Sequence, residues 1–147
     1  MAGKNVILLE DDMAANVTLT KLLSSNGYIV WSCNNVIQAT ELFKQKSELV
    51  DCIITDLNLS SFGLEECAND PDVPVLTGWV WLYKICLPQE KVPVIIFSAF
   101  IDELTERIAL SSDETEKLFY KSVVTLSKAS SNAWSELLNK LNNMTGG

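Results

Sequence analysis

The chain contains no histidine. That absence removes every mechanism needing an imidazole base, an imidazole metal ligand or a phosphohistidine carried by the chain itself. Cysteine is sparse: Cys33, Cys52, Cys67 and Cys86 are widely spaced, and no Cys-x-x-Cys pair occurs. Three of them sit beside apolar runs, so buried reduced thiols are expected rather than disulfides or zinc ligands. Positive charge is short as well, with 11 Lys and Arg against 19 Asp and Glu and a formal charge of −8. No counterion release could drive nonspecific binding to a phosphate backbone, so direct nucleic-acid binding is not expected. Long hydrophobic runs are missing too. A stretch such as Val92 to Phe100 is far too short to cross a bilayer, and the opening Met1-Ala2-Gly3-Lys4 does not begin a secretion signal. A cytoplasmic location without membrane contact is therefore expected.

What the chain does have is apolar material. Of 147 residues, 48% are apolar, enough for one compact core, and residues 1–147 read as a single domain. Val6-Ile7-Leu8-Leu9 is a continuous apolar run that stops at Glu10-Asp11-Asp12. Such a run suits a strand buried on both faces of a parallel sheet. Ala15, Leu19, Leu22 and Leu23 then share one helical face, and Asn26-Gly27 supplies the stop. The alternation continues with a strand from Tyr28 to Trp31, a helix marked by Val36, Ala39 and Phe43, and a strand Cys52-Ile53-Ile54 that ends at Asp56.

Residues Ser60 to Thr77, with Gly63, Pro71, Pro74 and the acids Glu65, Glu66, Asp70 and Asp72, read as a solvated loop. Trp79 to Cys86 reads as a helix stopped by Pro88, with one of Trp79 and Trp81 left partly exposed, and Val94 to Phe97 as a fourth strand ending at Ser98. Ile101, Leu104 and Ile108 mark the next helix. Ser111 with Glu114 three residues later has the form of a capping box, which predicts a further helix to about Tyr120. Val123-Val124 opens a fifth strand ending near Lys128, and Trp134, Leu137, Leu138 and Leu141 mark a closing helix. The expected fold is α/β: a doubly wound, five-stranded parallel sheet with the flavodoxin-like order 2-1-3-4-5 and helices on both faces.

In such sheets ligands collect outside the carboxyl ends of the strands. There the sequence puts Glu10, Asp11 and Asp12 after strand one, Asp56 after strand three, Ser98 after strand four and Lys128 after strand five. Crowded carboxylates repel one another unless a divalent cation neutralises them. Oxygen donors without histidine favour magnesium, manganese or calcium over zinc. A lysine and a hydroxyl beside that cation match the charge of a phosphoryl group, and a central carboxylate can be the nucleophile. The chemistry suggested is formation of an aspartyl phosphate.

At these residues the sequence resembles the receiver domain of two-component response regulators. The matching pieces are Ile7-Leu8-Leu9-Glu10-Asp11-Asp12, Cys52-Ile53-Ile54-Thr55-Asp56-Leu57-Asn58-Leu59, Pro93-Val94-Ile95-Ile96-Phe97-Ser98-Ala99 and Thr125-Leu126-Ser127-Lys128. The resemblance implies a phosphorylation-activated switch rather than an enzyme with a separate substrate. Asp56 would be the phosphoacceptor. Glu10, Asp11, Asp56 and the backbone carbonyl of Asn58 would hold Mg2+, for which Mn2+ can substitute. Ser98, Ala99 and Lys128 would meet the phosphoryl group. It also implies a sensor histidine kinase or histidine phosphotransfer protein as donor, an output partner the sequence does not name, and a face open to homodimerisation.

The departures from that pattern are specific. Ala129 stands where a proline follows the lysine, Thr125 where an aromatic switch residue is expected, and Ser60 where a proline follows the phosphoacceptor. The glycine that opens the next helix corresponds to Gly78, leaving 60–77 as an insertion that could cap the site, supply Glu65 or Glu66 to a cation, or touch a partner. Residues 111–121 extend the fourth crossover. The rival reading is a degenerate receiver that binds partners without phosphorylation. A flavodoxin-like cofactor site would need a Ser/Thr/Gly loop where Glu10-Asp11-Asp12 stands, and a dehalogenase-type hydrolase would need a second acid at Asn58. Taken singly, the acids could merely match the first helix dipole, and Asp12 is expected as that helix's cap.

Overall fold

The structure, a computed structural model, describes residues 3–67, 69–73, 75–86 and 92–146. Five strands, β1 (Asn5–Leu9), β2 (Ile29–Cys33), β3 (Cys52–Thr55), β4 (Val94–Ser98) and β5 (Val124–Ser127), alternate with helices. The helices are α1 (Met13–Ser25), α2 (Val36–Lys46), α3 (Thr77–Trp81), α4 (Ile101–Leu110), α5 (Glu114–Ser122) and α6 (Ala133–Thr145). All strand pairs are parallel and the order is β2-β1-β3-β4-β5, the expected doubly wound sheet.

The continuous apolar runs explain the two-sided burial. Successive strand side chains point to opposite faces, so Ile7, Leu9, Ile53, Val94 and Ile96 pack with α2, α3 and α4, and Phe119 and Tyr120 of α5 lie against that layer. Val6, Leu8, Cys52, Ile54, Ile95 and Phe97 pack on the other face with Leu19 and Leu23 of α1 and Leu137 and Leu141 of α6. β2 pairs along its full length with β1, Asn5 opposite Ile29 and Leu9 opposite Cys33, which carries it two residues past the expected end at Trp31. Asp12 caps α1 by accepting from the Ala15 N–H at 3.1 Å, as expected, and Asn35 caps α2 through the Gln38 N–H. α1 stops at Asn26 and Gly27, whose φ of 92° lies in the region that favours glycine.

Several expectations are corrected. The capping box opening at Ser111 does not form. Asp113 is the N-cap of α5, accepting from the Thr115 and Glu116 N–H groups, while the Ser111 hydroxyl donates to the buried Glu116. An aspartate two residues before a helical Thr-Glu outcompetes the earlier serine. The helix expected over Trp79 to Cys86 begins at Thr77 and finishes in a π turn, Leu82–Cys86; its expected stop at Pro88 lies outside the described residues. Both Trp79 and Trp81 are fully buried, each indole N–H finding an acceptor: Glu116 at 2.7 Å and the Thr40 hydroxyl at 2.9 Å.

The stretch 60–77 is not a solvated loop. It contains a 3-10 turn, Glu65–Cys67, and its Leu64, Cys67, Val73 and Leu76 enter the core with α2 and α3. Pro74 lies outside the described residues. All four cysteines are free and buried. Among the described residues no helix is long and apolar enough to cross a membrane.

Candidate functional site

Three side chains meet at the carboxyl edge of the sheet. Glu10 follows β1, Asp56 follows β3 and Lys128 follows β5. Backbone bonds bring these ends level: Asp56 N–H donates to the Leu9 carbonyl at 3.2 Å, Lys128 N–H to the Ser98 carbonyl at 3.0 Å, and Glu10 N–H to the Cys33 carbonyl at 3.1 Å. Asn16, nearly buried on α1, donates its amide to the Glu10 and Cys33 carbonyls at 2.9 and 3.1 Å and so ties the helix to the end of β1. Its only sequence signal is a polar residue beside the apolar stripe of α1.

Lys128 Nζ donates to Glu10 Oε1 at 2.5 Å and to Asp56 Oδ2 at 2.7 Å. The Glu10 side chain is 2% exposed and that of Asp56 12%, so one ammonium faces two carboxylates largely withdrawn from water. Burial pushes the Glu10 carboxyl above its ordinary value, and the neighbouring Asp56 charge adds to the rise against the lowering pull of Lys128. For Lys128 burial acts downward, but the bonds to Asp56 and Glu10 outweigh it and its value rises. The lysine is therefore firmly protonated at neutral pH.

Asp56 is held from behind as well. Its Oδ1 accepts the Leu57 N–H at 2.6 Å, and its carbonyl accepts the Thr55 hydroxyl at 2.8 Å. Gly78, at the start of α3, donates its N–H to the Leu57 carbonyl at 3.0 Å. Ser98 is fully buried at the end of β4, and its hydroxyl accepts the Phe100 N–H at 3.1 Å at the entry to α4. Ala99 and Asn58 are exposed at the same rim.

Asp11 stands apart from the other two acids. Its Oδ2 accepts the Ser60 N–H at 2.9 Å, and no ion pair joins it to Lys128. Glu65 closes its own turn by accepting the Gly63 N–H at 2.8 Å. Farther along that segment, Asp70 binds Arg107 of α4 through two bonds at 2.9 and 3.1 Å, and Asp72 adds a third at 3.2 Å. Arg107 Nε also binds Glu116 of α5 at 2.8 Å. The segment is thus pinned to the site at one end and to α4 and α5 at the other, a pairing with no local sequence signal.

The donor set fits a hard divalent cation: carboxylate oxygens of Glu10, Asp11 and Asp56 and a backbone carbonyl, at adjacent strand ends. Their present arrangement is closed by internal bonds. Among the described residues no three His, Cys, Asp or Glu side chains converge on one metal-sized position; Lys128 bridges Glu10 and Asp56, and the Ser60 N–H bonds Asp11.

No family model matches the sequence, and no curated protein matches it. Solved structures do match. A response regulator receiver domain protein from Clostridium thermocellum superposes with a TM-score of 0.69 at 16% identity, covering 97% of this chain and 94% of that one. The receiver domain of a Francisella response regulator gives 0.66 at 21% identity, with 98% of each chain covered. The receiver domain of a sensor histidine kinase from Pseudomonas aeruginosa PAO1, whose structure has a magnesium ion coordinated in its active-site cleft, gives 0.62 at 24% identity over 99% of this chain and all of that one. With its sheet order and nearly complete coverage in each comparison, the chain has the fold of response regulator receiver domains.

Proposed function

We propose that this chain is a signalling switch that accepts a phosphoryl group on Asp56 from a phosphohistidine of a sensor histidine kinase or a histidine phosphotransfer protein. The observation that carries the reading is the contact between Lys128 Nζ and Asp56 Oδ2 at 2.7 Å, at the carboxyl edge of a parallel sheet and beside Glu10. An Asp56 oxygen attacks phosphorus, the P–N bond to the donor imidazole breaks, and the departing nitrogen takes the electron pair and then a proton. Lys128 moves from a carboxylate to the phosphoryl oxygens, where its charge is matched to three acceptors. Ser98, one strand away, supplies the hydroxyl that turns toward the new group after releasing the Phe100 N–H. Ala99, small and exposed beside it, leaves room for the phosphoryl oxygens.

Glu10, Asp11, Asp56 and the Asn58 carbonyl are the ligands we assign to Mg2+, with Mn2+ as a substitute. The ion supplies charge neutralisation to a carboxylate nucleophile meeting an anionic donor. The switch then reads out as a change in the face presented to an output partner or a second copy of the chain.

The test is intact mass after incubation with a small phosphodonor, acetyl phosphate or phosphoramidate, with and without Mg2+, beside Asp56→Asn. A magnesium-dependent single phosphoryl adduct absent from the variant supports the reading. No adduct with either donor, in protein shown to be folded, overturns it in favour of a phosphorylation-independent interaction module.

A further inference from the structure

We infer that the backbone N–H of Ser60 is a latch on the cation site: it holds Asp11 out of the carboxylate cluster, and a divalent ion binds only as that hydrogen bond is given up. The inference rests on the metal assignment made above and adds the element that regulates it. Three observations carry it. The Ser60 N–H donates to Asp11 Oδ2 at 2.9 Å. Glu10 and Asp56 converge on Lys128, whereas Asp11 does not, and no three acidic side chains gather around one metal-sized position among the described residues. Ser60 is also the first residue of a segment fixed elsewhere: its hydroxyl accepts the Phe62 N–H at 3.3 Å, Leu64 is buried, and Asp70 and Asp72 are clamped by Arg107. The segment that carries this amide is therefore anchored downstream of it, at Leu64 and at Asp70 and Asp72.

A hydrogen bond from a backbone N–H to an ionised carboxylate is charge-assisted and competes with a cation for the same oxygen. Releasing it costs part of the binding free energy of any ion that enters. Apparent affinity is lowered by the fraction of time Asp11 spends on Ser60. The coupling runs both ways: an ion that captures Asp11 frees the start of the 60–77 segment, and whatever pulls that segment from Asp11 tightens ion binding.

The experiment uses Mn2+ as the probe, counting free ion by electron paramagnetic resonance and then competing with Mg2+, on the full chain and three variants, Ser60→Pro, Ser60→Ala and Asp11→Asn. Ser60→Pro removes the N–H and with it the latch. Ser60→Ala keeps the N–H and removes only the hydroxyl bond to Phe62. We expect Ser60→Pro to bind Mn2+ more tightly by roughly tenfold or more, the scale of one competing hydrogen bond to a charged group, and Ser60→Ala to stay within about twofold. Equal or weaker binding by a folded Ser60→Pro overturns the latch while leaving the metal assignment standing. Saturable binding by the wild type that Asp11→Asn abolishes is what that assignment requires. An absence of binding by wild type and Ser60→Pro alike overturns the assignment itself, and the latch with it. The unmodified chain provides a second readout. Saturating Mg2+ should shift the Ser60 amide resonance and raise its hydrogen exchange at least tenfold, and an unchanged Ser60 amide at saturation overturns the latch even if the proline variant does not fold.

Discussion

A β-carbon placed on Gly78 would stand 1.9 Å from the carbonyl oxygen of Asp56. No side chain fits there, because α3 starts against the backbone of the proposed phosphoacceptor, with the Gly78 N–H on the Leu57 carbonyl. The opposing atom is main chain and cannot rotate away. Gly78→Ala must therefore displace either α3, which carries the buried Trp79, or the Asp56 peptide itself. A loss of about 3 kcal/mol or more is expected on urea unfolding, together with a slower gain of the phosphoryl adduct at Asp56. A variant as stable and as reactive as the wild type would show that α3 slides without moving the site.

The fold was legible because its signals are local. The central strands β1, β3 and β4 are built on apolar runs that give way to polar residues, with Glu10, Asp56 and Lys128 directly after their strands and Ser98 the last residue of its own, so all four could be placed at one edge from the sequence. What could not be read depends on partners far apart in sequence. Arg107 meets Asp70 and Asp72 across 37 and 35 residues, and Trp79 meets Glu116 across 37. Two of the acids that looked solvated in 60–77, Asp70 and Asp72, are ion-paired, and a tryptophan expected to be partly exposed is inside. The Ser60 amide was invisible for another reason: a backbone donor leaves no mark in residue type. The Ser111 box failed because two caps competed and Asp113 satisfied two N–H groups at once.

Asp12 separates helix capping from ion binding. It accepts the Ala15 N–H, and its own N–H donates to Glu10 Oε2 at 3.2 Å. Asp12→Ala is expected to lower stability by about 1 kcal/mol, and Asp12→Asn, which keeps an acceptor, to stay near wild type. Cation affinity should follow neither substitution, since the Asp12 backbone bond to Glu10 is unaffected. A loss of ion binding with Asp12→Asn would make this carboxylate a ligand.

The four thiols should be silent in the native state. Burial pushes Cys33 up to about 11 and Cys52 up to about 12, and it raises Cys67 and Cys86 as well. At pH 8 the thiolate fraction of Cys33 is on the order of a thousandth, and the thiolate is the nucleophile. An aromatic disulfide reagent should label all four cysteines at once in denaturant and label the native chain only as fast as it opens. Rapid labelling of any one thiol under native conditions would mark a route of access to the core.

The Arg107 clamp predicts a particular dependence on acid. Burial acts to raise the Asp70 carboxyl, but the Arg107 bond, the Asp72 N–H and the nearby positive charges outweigh it, and the carboxyl lies below its ordinary value. A carboxyl depressed by folding contributes stability above its unfolded value, and that contribution is lost as the pH falls through the folded one. The wild type should therefore lose stability below about pH 4. Arg107→Met leaves Asp70 without its guanidinium and Glu116, 4% exposed, with only the Trp79 indole and the Ser111 hydroxyl. Stranding buried carboxylates in this way should cost about 3–5 kcal/mol at pH 7. The cost should shrink as Asp70 protonates, so the wild-type and variant curves converge as the pH falls below the ordinary aspartate value. Arg107→Lys, which keeps the charge but not the fork, should fall between them. Urea unfolding at a series of pH values checks this directly. A destabilisation that stays constant from pH 7 to pH 3 would mean that Arg107 acts through the packing of its aliphatic stem and not through its charge.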